Sequence, residues 1–338
     1  RCDEFNLDGS QQALTTNRST YNHATKMRAA MTFAFGRVHR LGKNAWHLNQ
    51  MSGKMDGNPS LATDVSAYML SLRRRKVQAG EAASSARAIT PDIMQRLYDF
   101  NVKQVHHFQL QPQTNTNVVA STWAGPLFRK LLVFAYTLAF TCLLRIDELL
   151  KLQAQDIVLD NEQDPDCLTL IIKLPFRKTN QVGNIEPFVI TEFPKQMKHL
   201  CPVRACAAYF YATQIQEGYV FRRMMANDRI GEANNGMSAE QFLEAFRMNL
   251  LDIGVDFLPY GTHSFRRGGC QWMSVDLRWP LRQVCEWGGW STEFSNLTIV
   301  KYLISATDSP THSRKDFFNF NRRPTLKCHS CGRSCHCS

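Results

Sequence analysis

Between Ser19 and Val38 the apolar positions Tyr21, Ala24, Met27, Ala30, Met31, Ala34 and Phe35 recur at three- and four-residue steps, with Lys26, Arg28 and Arg37 between them. That period predicts an amphipathic helix with a basic edge. Gly36, Gly42 and the turn Gly57-Asn58-Pro59 punctuate the next stretch, and Ser60 is expected to cap a second helix carrying Leu61, Val65, Tyr68, Met69 and Leu72. That helix is expected to end in Arg73-Arg74-Arg75-Lys76. The small, polar, unpatterned run Ala79 to Ser85 reads as a linker. A firm helix start comes next at Thr90-Pro91-Asp92, with an N-cap, a proline at the first helical position and an acid in the first turn.

Beyond a polar stretch from Gln111 to Ser121, an apolar run predicts a long buried helix over Leu127 to Leu144, which delivers Arg145-Ile146-Asp147-Glu148-Leu149 at its end. Leu168 to Ile172 reads as a strand with Pro187 to Ile190 as its partner, and Arg177 to Gly183 form the hairpin tip or its flank. Helices are expected over Arg204 to Glu217 and over Ala239 to Ile253, the latter opened by a Ser238/Gln241 capping box. Pro280 to Trp287 predicts a short helix, Gly288-Gly289-Trp290 breaks it, and Leu297 to Ile304 predicts another that carries Tyr302. The fold class is therefore mainly α, with a small antiparallel β-sheet. The expected division is a helical domain over 1–78, a linker over 79–89, a mostly helical domain over 90–310 and a tail over 311–338.

The densest chemistry lies in Gly261-Thr262-His263-Ser264-Phe265-Arg266-Arg267-Gly268-Gly269. Thr262 is the expected N-cap of a helix on which His263 and Arg266 stand at i and i+3. An anion there meets both side chains and the free N–H groups of the helix end. Gly268 and Gly269 let a backbone come close, whether that of DNA or of a neighbouring helix. The plain alternative is a helix start with a solvated basic face.

Composition narrows the partner. The chain has 338 residues, is 44% hydrophobic and 20% charged, and carries a formal charge of +11. A sequence pI near 9.2 favours a polyanion, with nucleic acid the default. The run Leu131 to Leu144 falls short of the roughly 20 apolar residues that span a bilayer, so no membrane partner is expected. The chain opens at Arg1 without a basic-then-apolar leader, so no signal peptide is expected. Cys2, Cys142, Cys167, Cys201, Cys206, Cys270 and Cys285 have no framework spacing and read as reduced thiols. The tail places Cys328, Cys331, Cys335 and Cys337 beside His329 and His336; Cys-x-x-Cys is a zinc half-site, but the second pair, Cys-x-Cys, is cramped for a finger. A reduced, metal-free tail is the expectation. Arg73 to Lys76 can contact phosphate, act as a nuclear-import signal, or cap a helix end in water.

Taken in order, Arg145, Lys178, His263, Arg266, Trp290 and Tyr302 make a set that resembles the tyrosine recombinase (integrase) family. Arg145-Ile146-Asp147-Glu148-Leu149 is similar to its first arginine motif, Lys178 in Arg-Lys-Thr to its β-hairpin lysine, and His263-Ser264-Phe265-Arg266 to its His-x-x-Arg box. Gly288-Gly289-Trp290 resembles the variant with Trp in place of the second histidine, and Lys301-Tyr302-Leu303 holds the matching nucleophile. The wording around Tyr21 to Ala30 and Arg177 to Gln181 is most like the Crypton group of eukaryotic mobile elements. The resemblance covers Thr90 to about Ile304 and implies a catalytic domain there, with residues 1–78 in the place of the helical DNA core-binding domain.

What the resemblance implies is cleavage of double-stranded DNA by Tyr302 through a 3′-phosphotyrosyl link, with strand exchange or transposition as the outcome. Arg145 and Arg266 suit a phosphorus gaining charge because guanidinium is always ionised and binds phosphate oxygens bidentately. Trp290 can only donate, whereas His263 can donate and accept. A free phenol is mostly protonated at neutral pH, and paired arginines with a nearby base favour its ionised form. Lys178 is the expected acid for the leaving 5′ oxygen, and Glu148 braces the site. The chemistry needs no metal, ATP or other cofactor. DNA contacts are expected from Lys26, Arg28, Arg37, Arg73, Arg74, Arg75, Lys76 and Arg267. A dimer per site, a tetrameric synapse and a nuclear location, or a cytoplasmic one outside eukaryotes, are implied by the resemblance. Two other readings stay open: type IB topoisomerase-like relaxation of supercoils, and a domesticated regulator that binds DNA without cutting it.

Overall fold

The computed structural model describes residues 2–6, 9–13, 19–80, 86–110, 123–160, 168–175, 177, 185–231, 233–290 and 299–303. Lys178, the rest of the hairpin tip and the cysteine-rich tail lie outside the described residues. The chain divides into two compact units, Arg1–Ser84 and Ser85–Ser338.

In the first unit, helix α1 (Tyr21–Phe33) opens at Thr20, whose hydroxyl oxygen accepts from the His23 N–H at 3.3 Å. It runs into a π-helical turn, Ala34–Val38. A two-stranded ribbon, β1 (His47–Leu48) with β2 (Met55–Asp56), leads to a 3-10 turn, Pro59–Leu61, and then to α2 (Thr63–Gln78), which packs on α1. Ser60 does not cap α2. Asn58 caps the 3-10 turn, and the Ser60 hydroxyl donates to Asn58 Oδ1 at 2.7 Å. The helix also continues past the basic cluster, so Arg73 to Lys76 sit inside its last turns.

The second unit is built around one buried helix. Residues 86–90 lead without regular structure into α3 (Pro91–Leu110), where Thr90 Oγ1 accepts from the Ile93 N–H at 3.2 Å. Then comes α4 (Pro126–Thr141), whose side chains from Leu131 to Thr141 are almost all buried against α3, α6 (Pro202–Thr213) and α8 (Ser264–Gln271). Its N-terminal N–H groups at Leu127 and Phe128 donate to the carboxylate of Asp228, at 2.6 and 2.9 Å. A carboxylate at a helix N-terminus satisfies orphan donors and complements the dipole. Within the same core Arg129 is 1% exposed, and its Nη1 donates to Asn101 at 2.8 Å and to Asp252 at 3.2 Å.

Helix α4 stops three residues short of the expected Leu144. Leu143 takes a left-handed φ of 52°, and the Leu144 N–H donates back to Ala139 at 3.1 Å. The chain therefore turns, and Arg145 opens α5 (Ile146–Leu150) instead of closing α4. Strands β3 (Ile157–Asp160), β4 (Thr169–Ile172) and β5 (Phe188–Thr191) form an antiparallel meander with Leu170 between Leu159 and Ile190. Alternation sends Leu170, Ile172, Phe188 and Ile190 into the core. The β4–β5 pair was expected; β3 was not. Helix α6 ends at Thr213, short of Glu217, because Gln214 is left-handed at φ 53°. A ribbon of β6 (Met224–Met225) and β7 (Arg229–Ile230) carries Asp228 in its turn. Helix α7 (Ala239–Asp252) has the expected capping box, with Ser238 Oγ accepting from Gln241 N at 3.2 Å and Gln241 accepting from Ser238 N at 3.0 Å. Helix α9 (Leu281–Trp287) and the short α10 (Val300–Leu303) complete the described chain.

Two glycines decide how tightly the unit closes. A Cβ on Gly268 would lie 2.1 Å from the Ile89 carbonyl oxygen, and one on Gly269 would lie 2.0 Å from that of Phe140. Of the two backbones these glycines were open to, the one that approaches is the protein's own. The described cysteines Cys2, Cys142, Cys201, Cys206, Cys270 and Cys285 are unpaired thiols, all but Cys2 buried. No helix among the described residues is long and apolar enough to cross a membrane.

Candidate active site

Helix α8 starts one residue later than expected. His263, not Thr262, holds the N-cap position, with helical φ and ψ of −90° and −3° and no side-chain cap bond. The turn into it is closed by Ser264, which is fully buried: its N–H donates to the Gly261 carbonyl and its hydroxyl oxygen accepts from the Gly261 N–H, both at 2.9 Å. The first turn of α8 then buries Arg266 at 1% exposure, because the two glycines after it seat the helix directly on Phe140 and Ile89.

Arg266 meets its counter-charge across the core. Glu148 on α5 lies 3.6 Å from Arg266 Nη1, and its other oxygen accepts from Arg145 Nη1 at 2.6 Å. The Arg145 backbone N–H also donates to Glu148, at 3.0 Å, so one buried carboxylate orients two guanidiniums and caps its own helix. A charge-assisted pair of this kind is stronger than a neutral hydrogen bond. The Arg266 guanidinium lies over two rings, with its Cζ 4.6 Å from the Trp290 centroid and 5.2 Å from that of Tyr302. Trp290 and Tyr302 stack on each other, 5.3 Å apart and 4° from parallel. Helix α10 is held to α8 by a hydrogen bond from Gln271 Nε2 to the Leu303 carbonyl, at 3.3 Å.

The donors here exceed the acceptors. Among the described residues, Arg266 Nε and Nη1 and Trp290 Nε1 are buried without a hydrogen-bond partner. Leaving such groups unpaired costs free energy, which an anion's oxygens would offset. Burial pushes Arg266 down to about 10, with Arg145 adding to the shift and Tyr302 and Glu148 opposing it. His263 is exposed at its edge, yet its pKa falls below the ordinary value, first because the ring is partly desolvated and then because Arg266, Arg145 and Arg267 repel its charged form. Asp147 pulls the other way. A neutral imidazole beside two guanidiniums can take a proton; the guanidiniums cannot.

The structure thus brings Arg145, Glu148, His263, Arg266, Trp290 and Tyr302 to one place from α5, α8, the turn after α9 and α10. Sequence reasoning passed over a further residue, Arg177. It is 3% exposed, donates from Nη1 to the Gly288 carbonyl at 2.6 Å, and lies over the Phe188 ring at 5.3 Å. Burial holds its pKa below the usual guanidinium value, with Arg145 adding to that and Glu148 opposing it. Only its neighbour Lys178 stood out in the sequence, because nothing local announces that an arginine beside a hairpin turns inward.

The predicted DNA-contacting residues separate into two groups. Lys26, Arg37, Arg73 and Arg74 are exposed. Arg28 instead donates to the Ser60 carbonyl at 3.0 Å and to the Ser66 hydroxyl at 2.8 Å. Arg75 pairs with Asp3 at 2.7 Å, and Lys76 is buried at 8% exposure. Arg267 is 2% exposed and donates to the Ala86 carbonyl at 2.8 Å, so its charge faces inward. Among the described residues no group of three or more His, Cys, Asp or Glu side chains could hold a metal ion.

No protein-family model and no curated protein matches the chain. Among solved structures, the chain is similar to XerH site-specific recombinase bound to palindromic difH substrate in a post-cleavage complex and to the same recombinase bound to difH in a pre-cleavage complex, each with a TM-score of 0.39 and 12% identity. Each match covers 64% of this chain and 49% of the other, so the chain spans about half the length of those recombinases.

Proposed function

We propose that the protein cuts and rejoins double-stranded DNA through a covalent 3′-phosphotyrosyl intermediate on Tyr302, as a tyrosine recombinase of the Crypton kind. One observation carries the reading: a buried Arg266 with donors that have no hydrogen-bond partner among the described residues lies against the rings of both Tyr302 and Trp290 and shares the Glu148 carboxylate with Arg145. That is a site with fixed positive charge, buried donors able to take an anion's oxygens, and a tyrosine ring against them. Preorganised donors of this sort stabilise charge that develops in a transition state.

In the proposed step the Tyr302 oxygen bonds to phosphorus and the bond from phosphorus to the 5′ oxygen breaks. Non-bridging oxygens sit on Arg145, Arg266 and the Trp290 N–H. The phenol proton passes to neutral His263, and the leaving 5′ oxygen takes a proton from Lys178 to become a hydroxyl. The ester retains the bond's free energy, so a 5′-hydroxyl from another strand can reverse the step without ATP. Recombination results when two duplexes are held together, which requires a homo-oligomer on DNA. The exposed Lys26, Arg37, Arg73 and Arg74 and the charge of +11 fit a duplex as partner, with binding that weakens steeply with salt. A eukaryotic mobile element of this kind would act in the nucleus.

The test is a duplex nicked close to the cut, so that the short 5′ product diffuses away and the covalent complex persists. Wild type should accumulate protein-linked DNA, and Tyr302→Phe should bind equally well and link none. Specific binding with no covalent product from wild type at its own site would overturn the reading in favour of a non-cutting regulator. Relaxation of supercoils by monomers without synapsis would replace recombination by topoisomerase-like activity.

A further inference from the structure

Backbone bonds close the Gly288–Gly289 turn onto α9: the Gly288, Gly289 and Trp290 N–H groups donate to the carbonyls of Val284, Glu286 and Cys285 at 2.9, 3.0 and 2.9 Å. The indole that follows is parallel to Tyr302 within 4°. Those bonds leave the outer side of the turn to be held by a side chain. Arg177 donates to the Gly288 carbonyl at 2.6 Å, and its guanidinium fills the space that a side chain on Gly289 would need: a Cβ there would lie 1.7 Å from Nη1. Gly289 itself is left-handed at φ 60°. The guanidinium is pinned from behind by the Phe188 ring at 5.3 Å, which packs edge-on to Trp287 at 4.9 Å, and the Trp287 N–H donates to the Thr141 carbonyl at 2.7 Å. A continuous chain of contacts therefore runs from the end of α4 to the turn that presents Trp290. An arginine is a costly choice for such a strut. At 3% exposure its Nε and Nη2 have no hydrogen-bond partner among the described residues, so an apolar side chain would bury more cheaply if filling space were all that mattered.

We propose that Arg177 is a positioning residue for Trp290, locking the Gly288–Gly289 turn so that the indole stays parallel to Tyr302 and against the Arg266 guanidinium, with its N–H left for the phosphate. The effect on cleavage rests on the function proposed above. The effect on the indole does not.

The experiment uses the full chain labelled with 5-fluorotryptophan, with the Trp290 signal identified by its loss in Trp290→Phe. Arg177→Met removes the bond to Gly288, Arg177→Lys keeps charge but loses the planar fork, and Gly289→Ala puts a Cβ where the guanidinium lies, at a left-handed position, so that the turn and Arg177 can no longer keep their contact. The Trp290 fluorine resonance should move and broaden in Arg177→Met and Gly289→Ala, and move less in Arg177→Lys. In the nicked-duplex assay, covalent linkage by Arg177→Met should slow by about a hundredfold, the scale of a displacement of about 1 Å in a catalytic group, while DNA affinity holds. If Arg177→Met does not fold, the other two variants carry the test. A Trp290 resonance at its wild-type position in the variants that fold would overturn the proposal even if wild type cuts DNA. Movement of that resonance in a protein whose wild type never links to DNA would leave the positioning role standing and sink the cleavage reading instead.

Discussion

Replacing Glu148 by glutamine tests the central electrostatic balance. Its side chain is 3% exposed and serves two guanidiniums, Arg145 at 2.6 Å and Arg266 at 3.6 Å, of which Arg266 is 1% exposed and Arg145 20%. The amide keeps the shape and loses the charge, leaving two cations facing each other in a poorly solvated site. Removing one partner of a buried pair costs about 3–5 kcal/mol, and the solvent reaching Arg145 argues for the lower figure. For a unit of this size about 3 kcal/mol corresponds to a fall of roughly 10 °C in melting temperature. Sulfate should then recover more stability in Glu148→Gln than in wild type, because an anion on Arg266 replaces the missing charge; at about a hundred times its Kd it would restore roughly 2.7 kcal/mol. Calorimetric melts with and without sulfate, with chloride at matched ionic strength as control, measure both effects. A variant that melts within about 2 °C of wild type, or equal sulfate shifts in both proteins, would refute the claim that this carboxylate offsets an anion-seeking pair.

The remaining expectations each concern one residue. His263 has its pKa below the ordinary 6.5, so it stays neutral as pH falls to that value and protonates only beneath it. The rate of covalent linkage should therefore hold to below pH 6.5 and drop on the acid side, and His263→Asn should be slow without that drop; a wild-type limb above 6.5 would contradict the assignment. Gly269→Ala should destabilise by about 1–3 kcal/mol in denaturant melts, since its Cβ would lie 2.0 Å from the Phe140 carbonyl, a backbone atom that cannot swing aside. Arg267→Met should lower stability and leave the salt dependence of DNA binding unchanged, whereas a lost phosphate contact would reduce the log–log slope by about one.

Local signals carried much of the fold. The N-cap at Thr90, the capping box at Ser238 and Gln241, the β4–β5 pair and the break at Gly288 each depend on neighbours a few residues away, so their physics is complete within the sequence. The set Arg145, Lys178, His263, Arg266, Trp290, Tyr302 was picked out by its resemblance to one family's motif order, and its residue types suit one anion. Features set by distant partners were not. Strand β3 is three apolar residues and an aspartate, made into a strand by β4 beside it. Helix α4 ends at Thr141 through a left-handed leucine that no glycine announces, and its start is capped by Asp228 from a turn about a hundred positions on. The inward arginines make the contrast plainest: by charge alone Arg177, Arg266 and Arg267 look as solvated as Arg73 and Arg74, yet the first three are buried and the last two exposed. The sequence by itself determined which groups were available, because charge, donor count and helical period belong to each residue type. Burial, and with it the unpaired donors and the shifted histidine, was decided only by the tertiary structure, because desolvation depends on what packs around a group and not on what the group is.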